Sequence, residues 1–211
     1  MSTTDLKFFT NEPERTLYDR FNKILNTNTQ YFDVIVGYFR TSGFFRLCDA
    51  MKDLDKIRIL VGLNVDKTTV DLIEQSENNT NIMSQKESKK EYGAQIETEF
   101  ADSEDSKEIE DGVRCFVEWL KSGKLELRMY TEQPIHAKVY IMRKNPELCD
   151  YYGSVITGSS NFSYSGLVNN LEFNVELKDS ADVKFALERF EELWAKSVDV
   201  SQITTETIEE K

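Results

Sequence analysis

The chain has 211 residues, of which 39% are hydrophobic and 30% charged, which rules out a chain that is disordered throughout. Its net charge is −12, but residues 97–111 carry −7 and residues 199–211 carry −3, so the rest is nearly neutral. The overall charge argues against broad, nonspecific affinity for nucleic acid, but it leaves room for a local cationic groove.

Three cysteines, Cys48, Cys115 and Cys149, are scattered along the chain. An odd number cannot pair completely, and none belongs to a C-x-x-C unit, so we expect the reducing environment of the cytoplasm. No signal peptide is visible at the N-terminus. The apolar runs are far shorter than the roughly 18–20 residues that cross a bilayer, so we expect no membrane partner.

The first part of the chain is expected to alternate helices with buried strands. Asn11 is predicted to cap the first helix, with Glu14 completing the capping box. Short β-branched runs that end at glycine predict the two strands. The expected elements are, in order, a helix over 11–27, a strand over 32–36, a helix over 42–51, a strand over 57–61 and a helix over 68–76.

A polar and acidic excursion over residues 77–111 interrupts this pattern. Its acids precede a predicted helix over 109–120, where a solvated helix start explains them better than a metal site does. Four strands follow, over 125–129, 135–142, 154–157 and 171–177, and then a helix from Ser180. We therefore predict one α/β domain over residues 1–198, a mixed sheet flanked by helices, followed by a tail or linker over 199–211.

Residues 135–141 (IHAKVYI) contain His136, the only histidine of the chain. Strand alternation places His136, Lys138 and Tyr140 on one face and the apolar residues on the other. A lone histidine is more often structural than catalytic. An imidazole and an ammonium next to each other on an otherwise apolar strand nevertheless indicate a binding function.

The sequence TGSSNFS follows the next predicted strand and offers Ser159, Ser160 and Asn161 at a glycine turn. Such a turn is suited to binding phosphate oxygens, although ordinary turn chemistry also explains it. Eleven residues after Asn161, Glu172 lies on a strand whose residues Leu171 and Phe173 are predicted to face the core. Glu172 is either a solvent-facing residue or the acceptor that orients a histidine.

The order H-x-K, then G-S-x-N, then glutamate resembles the phospholipase D superfamily. The sequence is most similar to its nuclease-like branch, which includes metal-independent restriction endonucleases and helicase-associated domains. The resemblance is strongest over residues 125–177. One departure is Arg143, where the family motif has an aspartate, and this puts phospholipid hydrolysis in more doubt than phosphodiester cleavage.

The resemblance implies that His136 attacks phosphorus and forms a phosphohistidine, while Lys138 and Asn161 neutralise the nonbridging oxygens with help from Ser159 and Ser160. Glu172 would orient the nucleophile. No metal or other cofactor is implied. A second imidazole must protonate the leaving group, and the chain has one histidine, so we expect a homodimer with a composite site at its interface.

Tyr38 and Arg40 follow the first predicted strand and are candidates for stacking on a base and binding a phosphate. The neighbouring phenylalanines are expected to plug the core, with a helix cap at Ser42. The leading hypothesis is an endonuclease domain that acts on DNA in a restriction or helicase-type protein, with a possible C-terminal helicase or ATPase domain. The alternatives are a catalytically silent nucleic-acid-binding and dimerisation module and, less favoured, a phospholipase.

Overall fold

The computed structural model describes residues 7–13, 15–62, 107–145, 147 and 152–201. Its strands are β1 (Phe8–Thr10), β2 (Tyr31–Val36), β3 (Lys56–Gly62), β4 (Leu125–Tyr130), β5 (Lys138–Arg143), β6 (Gly153–Gly158), β7 (Phe173–Leu177) and β8 (Val198–Asp199). Its α-helices are α1 (Leu17–Asn28), α2 (Thr41–Met51), α3 (Lys107–Ser122) and α4 (Ser180–Ala195). A π-helical turn covers Ser165–Asn169.

The described strands form one mixed sheet in the order β1-β7-β6-β5-β2-β3-β4-β8. Strands β2, β3 and β4 run parallel to one another, and every other neighbouring pair is antiparallel. Helices α1, α2 and α3 pack over one face, and α4 packs over the other face on β4, β5 and β6. This architecture confirms the predicted α/β class.

The apolar runs predicted β2 and β3 to within one residue at each end. The predicted start of the first helix is wrong, because α1 begins at Leu17 with Thr16 and Asp19 as its capping box. Asn11 is buried outside the helix: its Oδ1 accepts from the Leu17 N–H at 2.7 Å, and its Nδ2 donates to the Gly166 carbonyl at 2.8 Å. Glu14 lies outside the described residues.

The face predicted for the β7 segment is also wrong. Asn174 and Glu176 are 1% and 2% exposed, whereas Phe173 is 51% exposed and Leu171, which precedes the strand, is 67% exposed. The two buried polar residues are explained by their partners, since Glu176 forms an ion pair with Arg20 of α1 and Asn174 donates to Ser160. Because strand side chains alternate, these two contacts turn Phe173 to the opposite side.

The sulfurs of Cys48 and Cys115 are bonded across α2 and α3, with Cα atoms 6.9 Å apart. The expectation of a reducing compartment rested on the cysteines being scattered along the chain. The fold instead brings Cys48 and Cys115 close enough to form a disulfide. Packed structure extends into the expected tail, where Val200 is 1% exposed. The predicted helix over 68–76, most of the 77–111 excursion, Cys149 and residues 202–211 lie outside the described residues. Within the described ranges, no helix is both long and apolar enough to span a membrane.

Candidate active site

His136 lies just before β5, on a segment that crosses the ends of β2 and β3. The strand predicted from residue 135 begins only at Lys138, although the Ala137 carbonyl still accepts from the Gly37 N–H at 3.0 Å beyond the end of β2. A Cβ at Gly37 would collide with the Ile135 carbonyl, and one at Gly62 would lie 2.8 Å from it. Gly37 and Gly62, at the ends of β2 and β3, therefore allow the close approach that places the exposed His136 at this end of the sheet.

Lys138 is the first residue of β5 and is only 8% exposed. Its Nζ lies 3.3 Å from Nε2 and 3.5 Å from Nδ1 of His136. Among the residues that the structure describes, no carboxylate pairs with this ammonium. A buried charge without a counter-ion is costly, so this position is suited to a bound anion. Tyr140, on the same strand face, is fully buried, so the face carrying Lys138 continues into the core.

The Ser159–Ser160–Asn161 turn lies beside His136 because β6 runs antiparallel to β5, with Thr157 opposite Val139. Ser160 is fully buried: its Oγ accepts from Asn174 Nδ2 at 2.9 Å, and its carbonyl accepts from the Tyr140 hydroxyl at 2.7 Å. Burial raises the pKa of Tyr140, so the phenol remains a donor at neutral pH. The buried Ser160 side chain is therefore not placed to contact substrate, as had been predicted. Instead, its hydrogen bonds to Asn174 and Tyr140 hold the turn in position.

Asn161 is half-buried, and its side-chain amide has no hydrogen-bond partner among the described residues. Its backbone is tightly enclosed, since a Cβ added at Gly166 would collide with the Asn161 carbonyl and one at Gly43 would lie 2.9 Å from the Ser163 nitrogen. These contacts place Asn161 firmly while leaving its amide free. Such a donor can contact a phosphate oxygen.

Glu172 contacts the turn rather than the histidine. Its Oε2 accepts from the Ser159 hydroxyl, and its Oε1 accepts from Asn170 Nδ2 at 3.2 Å. The Ser159 Oγ in turn accepts from the Phe173 N–H at 3.1 Å. The predicted hydrogen bond from His136 to Glu172 is not formed within this chain, because Glu172 is engaged one strand farther along the sheet. Ser159 is exposed, but its hydroxyl already donates to the Glu172 carboxylate.

Arg40 and Tyr38 lie beside the turn. The Arg40 guanidinium lies over the Tyr38 ring at 4.7 Å, and the Arg40 N–H donates to the Phe162 carbonyl at 3.0 Å. Tyr38 is therefore already stacked on one side. Phe39 and Phe44 are buried, as expected of a core plug. The predicted cap at Ser42 is wrong: α2 begins at Thr41, and the Ser42 hydroxyl accepts from the Tyr164 N–H at 3.4 Å.

Arg143, the departure from the family motif, lies at the other end of β5, about 17 Å from Lys138 at the usual rise per residue. Its Nε donates to Asp33 Oδ2 at 2.9 Å, and Arg58 Nε donates to Asp33 Oδ1 at 2.6 Å. Arg143 thus forms an ion pair with Asp33 of β2 and lies too far away to contact His136.

Sequence reasoning missed the supports of the site, namely Gly37, Gly166, Tyr140 and Asn174. A polar Asn174 within a strand was the available signal, because a buried amide requires a partner. Within the described ranges, no three His, Cys, Asp or Glu side chains are grouped as a metal site would require. The four residues His136, Lys138, Asn161 and Glu172 all lie at one end of the sheet, and of the four only His136 and Lys138 are in direct contact in the described hydrogen bonds.

Comparison with known proteins gives a consistent result. Residues 21–194 match the family model described as "Cardiolipin synthase, PLD-like domain". Nuc, a phospholipase D family member from Salmonella typhimurium, is 16% identical with a TM-score of 0.53, over 91% of this chain and 96% of that one. NucT from Helicobacter pylori is 13% identical with a TM-score of 0.50, over the same shares. These two structures share the fold, and no curated protein matches the sequence.

Proposed function

The chain belongs to the phospholipase D-like family, and we propose that it is a phosphodiester hydrolase that cleaves nucleic acid, DNA in the first place, without a metal ion. The observation that carries the proposal is the buried Lys138 ammonium beside the His136 ring. A cation in that position attracts a phosphate, and the imidazole beside it is a nucleophile for phosphorus.

In the proposed reaction, a ring nitrogen of His136 attacks phosphorus as the bond to the leaving oxygen breaks. A second, protonated imidazole gives its proton to that oxygen, and a phosphohistidine remains. Water then attacks the same phosphorus, loses its proton to the second imidazole and releases His136. Lys138 and Asn161 would contact the nonbridging oxygens, on which charge accumulates in the transition state.

The second imidazole comes, in this proposal, from a second copy of the chain, because the sequence has a single histidine. A twofold axis would bring the two His136 rings to one phosphate. Arg40, which is exposed next to the Asn161 turn, would contact a flanking phosphate. The motif resemblance to restriction and helicase-associated nucleases suggests that biological setting.

The test is cleavage of single- and double-stranded DNA in excess EDTA by the intact chain, by His136→Ala and by Gln133→Ala. Gln133 is an exposed neighbour that serves as the matched control. We expect cleavage by the parent and the control and none by His136→Ala.

Two results would contradict the proposal. Cleavage that EDTA abolishes would remove the metal-independent mechanism. Binding of DNA by all three proteins without cleavage would instead assign the domain to nucleic-acid binding alone.

A further inference from the structure

The disulfide between Cys48 and Cys115 lies within the packed interface of α2 and α3. About one helical turn before these cysteines, a Cβ on Gly112 of α3 would lie 2.6 Å from the Phe45 Cβ of α2. Phe116, the residue after Cys115, is fully buried. Because a packed interior leaves little spare volume, a change at the cysteines must be accommodated by a movement of the neighbouring side chains or helices.

A series of aromatic rings connects this interface to the Asn161 turn of the candidate site. The Phe116 ring is stacked on Phe39 with centroids 6.3 Å apart, and the Phe39 centroid is 5.6 Å from that of Phe162. Phe162 directly follows Asn161 and is fully buried. Phe39 and Phe162 also pair as an isolated parallel bridge. Packed contacts therefore lead from the residue beside the disulfide to the residue beside Asn161.

The first residues of α2 hold the same turn directly. The Arg40 N–H donates to the Phe162 carbonyl at 3.0 Å, and the Tyr164 N–H donates to the Ser42 hydroxyl at 3.4 Å. A Cβ on Gly43 would lie 2.9 Å from the Phe162 carbonyl carbon, so helix and turn are in close backbone contact. Because a helix shifts as a unit, a displacement of α2 at its cysteine is transmitted to this turn.

The disulfide is placed for exchange with a thiol, since both cysteines are half-buried and neither is enclosed in the core. In the exchange, a thiolate of a dithiol reductant attacks one sulfur and forms a mixed disulfide. The second thiol of the reductant then releases the protein. The protein gains two electrons and two protons as two thiols, and the reductant becomes a disulfide. Two thiols need more room than two bonded sulfurs, so reduction pushes α2 and α3 apart locally.

We propose that Cys48 and Cys115 form a reversible redox site that controls the candidate active site. The disulfide holds α2 and the Asn161 turn in place, and reduction by a dithiol loosens the turn and lowers activity. The effect on the turn stands without an assigned activity, whereas the effect on activity rests on the proposed function. The bonded and reduced states supply the two discrete arrangements that such coupling requires.

The alternative is a permanent structural disulfide, of the kind that exported proteins carry. Such a bond stabilises the whole domain through the unfolded state and has no particular effect on one turn. A local measurement therefore separates the two roles.

The first experiment compares amide hydrogen exchange in the oxidised chain and in the chain treated with dithiothreitol, without denaturant. The Arg40 amide and the Ser163 amide, which donates to the Asn161 carbonyl at 2.9 Å, should exchange at least about tenfold faster after reduction. The control is the Glu176 amide at the β1–β7 edge, which donates to the Lys7 carbonyl at 2.7 Å and should change less than about twofold. Equal acceleration of all three amides, or none, would overturn the proposal.

Variants identify the cysteines responsible. Cys115→Ser should show the fast exchange with or without the dithiol, and circular dichroism checks that it retains the fold. The reduced parent tests the same state without a substitution, and its mass should rise by two hydrogens. Cys149→Ser is the matched control and should respond as the parent does. A bond that resists the dithiol, or a Cys149→Ser chain that no longer responds, would overturn the assignment to this pair.

DNA cleavage in excess EDTA tests the consequence for activity. The oxidised parent should cleave at least about fivefold faster than the reduced parent. A loosened turn with unchanged cleavage would overturn the proposed control of activity. Redox-dependent exchange in a chain that cleaves no DNA would contradict the proposed function alone. Cleavage and exchange that both ignore the redox state would contradict this inference alone.

Discussion

Both ends of β5 carry a cation, and the two cations have opposite surroundings. At the start of the strand, Lys138 is buried beside His136 with no carboxylate partner among the described residues. At its end, Arg143 shares the buried Asp33 with Arg58. Burial alone would lower the pKa of Arg58, but its hydrogen bonds to Asp33 and Glu191 outweigh this and raise that pKa above its ordinary value.

We propose that this difference separates a cation that stabilises the fold, Arg143, from one that would bind an anionic ligand, Lys138. A structural charge in the interior is neutralised by the protein itself, as at Asp33. A buried charge that the protein does not neutralise costs stability, and a bound anion would reduce that cost. The comparison makes three predictions, in order of decreasing effect.

The largest effect is expected at Lys138. Lys138→Met removes the ammonium but keeps an unbranched apolar side chain, so DNA cleavage should fall by about 10³-fold. The midpoint of thermal unfolding should stay the same or rise, because an unpaired buried charge has been removed. Cleavage assays and calorimetry measure the two quantities. Lys184→Met, an exposed lysine on α4, is the control, and a large loss of stability in Lys138→Met would show that this cation is structural.

The second effect concerns Asp33, which is 1% exposed. Asp33→Ala leaves Arg58 and Arg143 without their shared carboxylate, and we expect the free energy of unfolding to fall by about 3 kcal/mol. Glu191→Ala removes the exposed carboxylate from the same Arg58 and should cost less than about 1 kcal/mol. Urea denaturation compares the two variants, and equal losses would refute the distinction between the two carboxylates.

The smallest effect is expected at Tyr140, whose hydroxyl donates to the Ser160 carbonyl. Tyr140→Phe should cost about 1 kcal/mol at neutral pH through the lost hydrogen bond. Burial raises the pKa of Tyr140 in the folded protein, so its stabilising contribution is complete below about pH 10 and is lost as pH rises further. Denaturation at pH 7 and pH 11 should therefore show a steeper alkaline loss for the parent than for the variant. Parallel losses would be inconsistent with a protonated buried phenol.

The central strands could be predicted from the sequence because both of their faces are buried. Val34, Ile35 and Val36 of β2 are at most 5% exposed. A short continuous apolar run of this kind is typical of a strand that is buried on both faces. The candidate site could be proposed from the sequence for a different reason: the H-x-K and G-S-x-N motifs are short and local. Their proximity depends on the antiparallel pairing of β5 with β6, which the sequence analysis did not predict.

The sequence could not predict which face of β7 is buried. Leu171 and Phe173 suggest an apolar inner face, and the reversal depends on Arg20 and Ser160, which are distant along the chain. The same holds for Glu172, whose partner depends on how the turn at Ser159 folds back. The buried face of β7 and the partner of Glu172 both depend on polar contacts between residues that are distant along the chain. Local hydrophobic periodicity does not predict such contacts.

The bond between Cys48 and Cys115 joins positions that are 67 residues apart, and residues 63–106 lie between them. A protease cut anywhere in that span would leave both fragments on one covalent molecule. Such a nicked protein would migrate as a single species until a thiol separated it into two. Chain continuity through this span is therefore not required to keep α2 attached to α3.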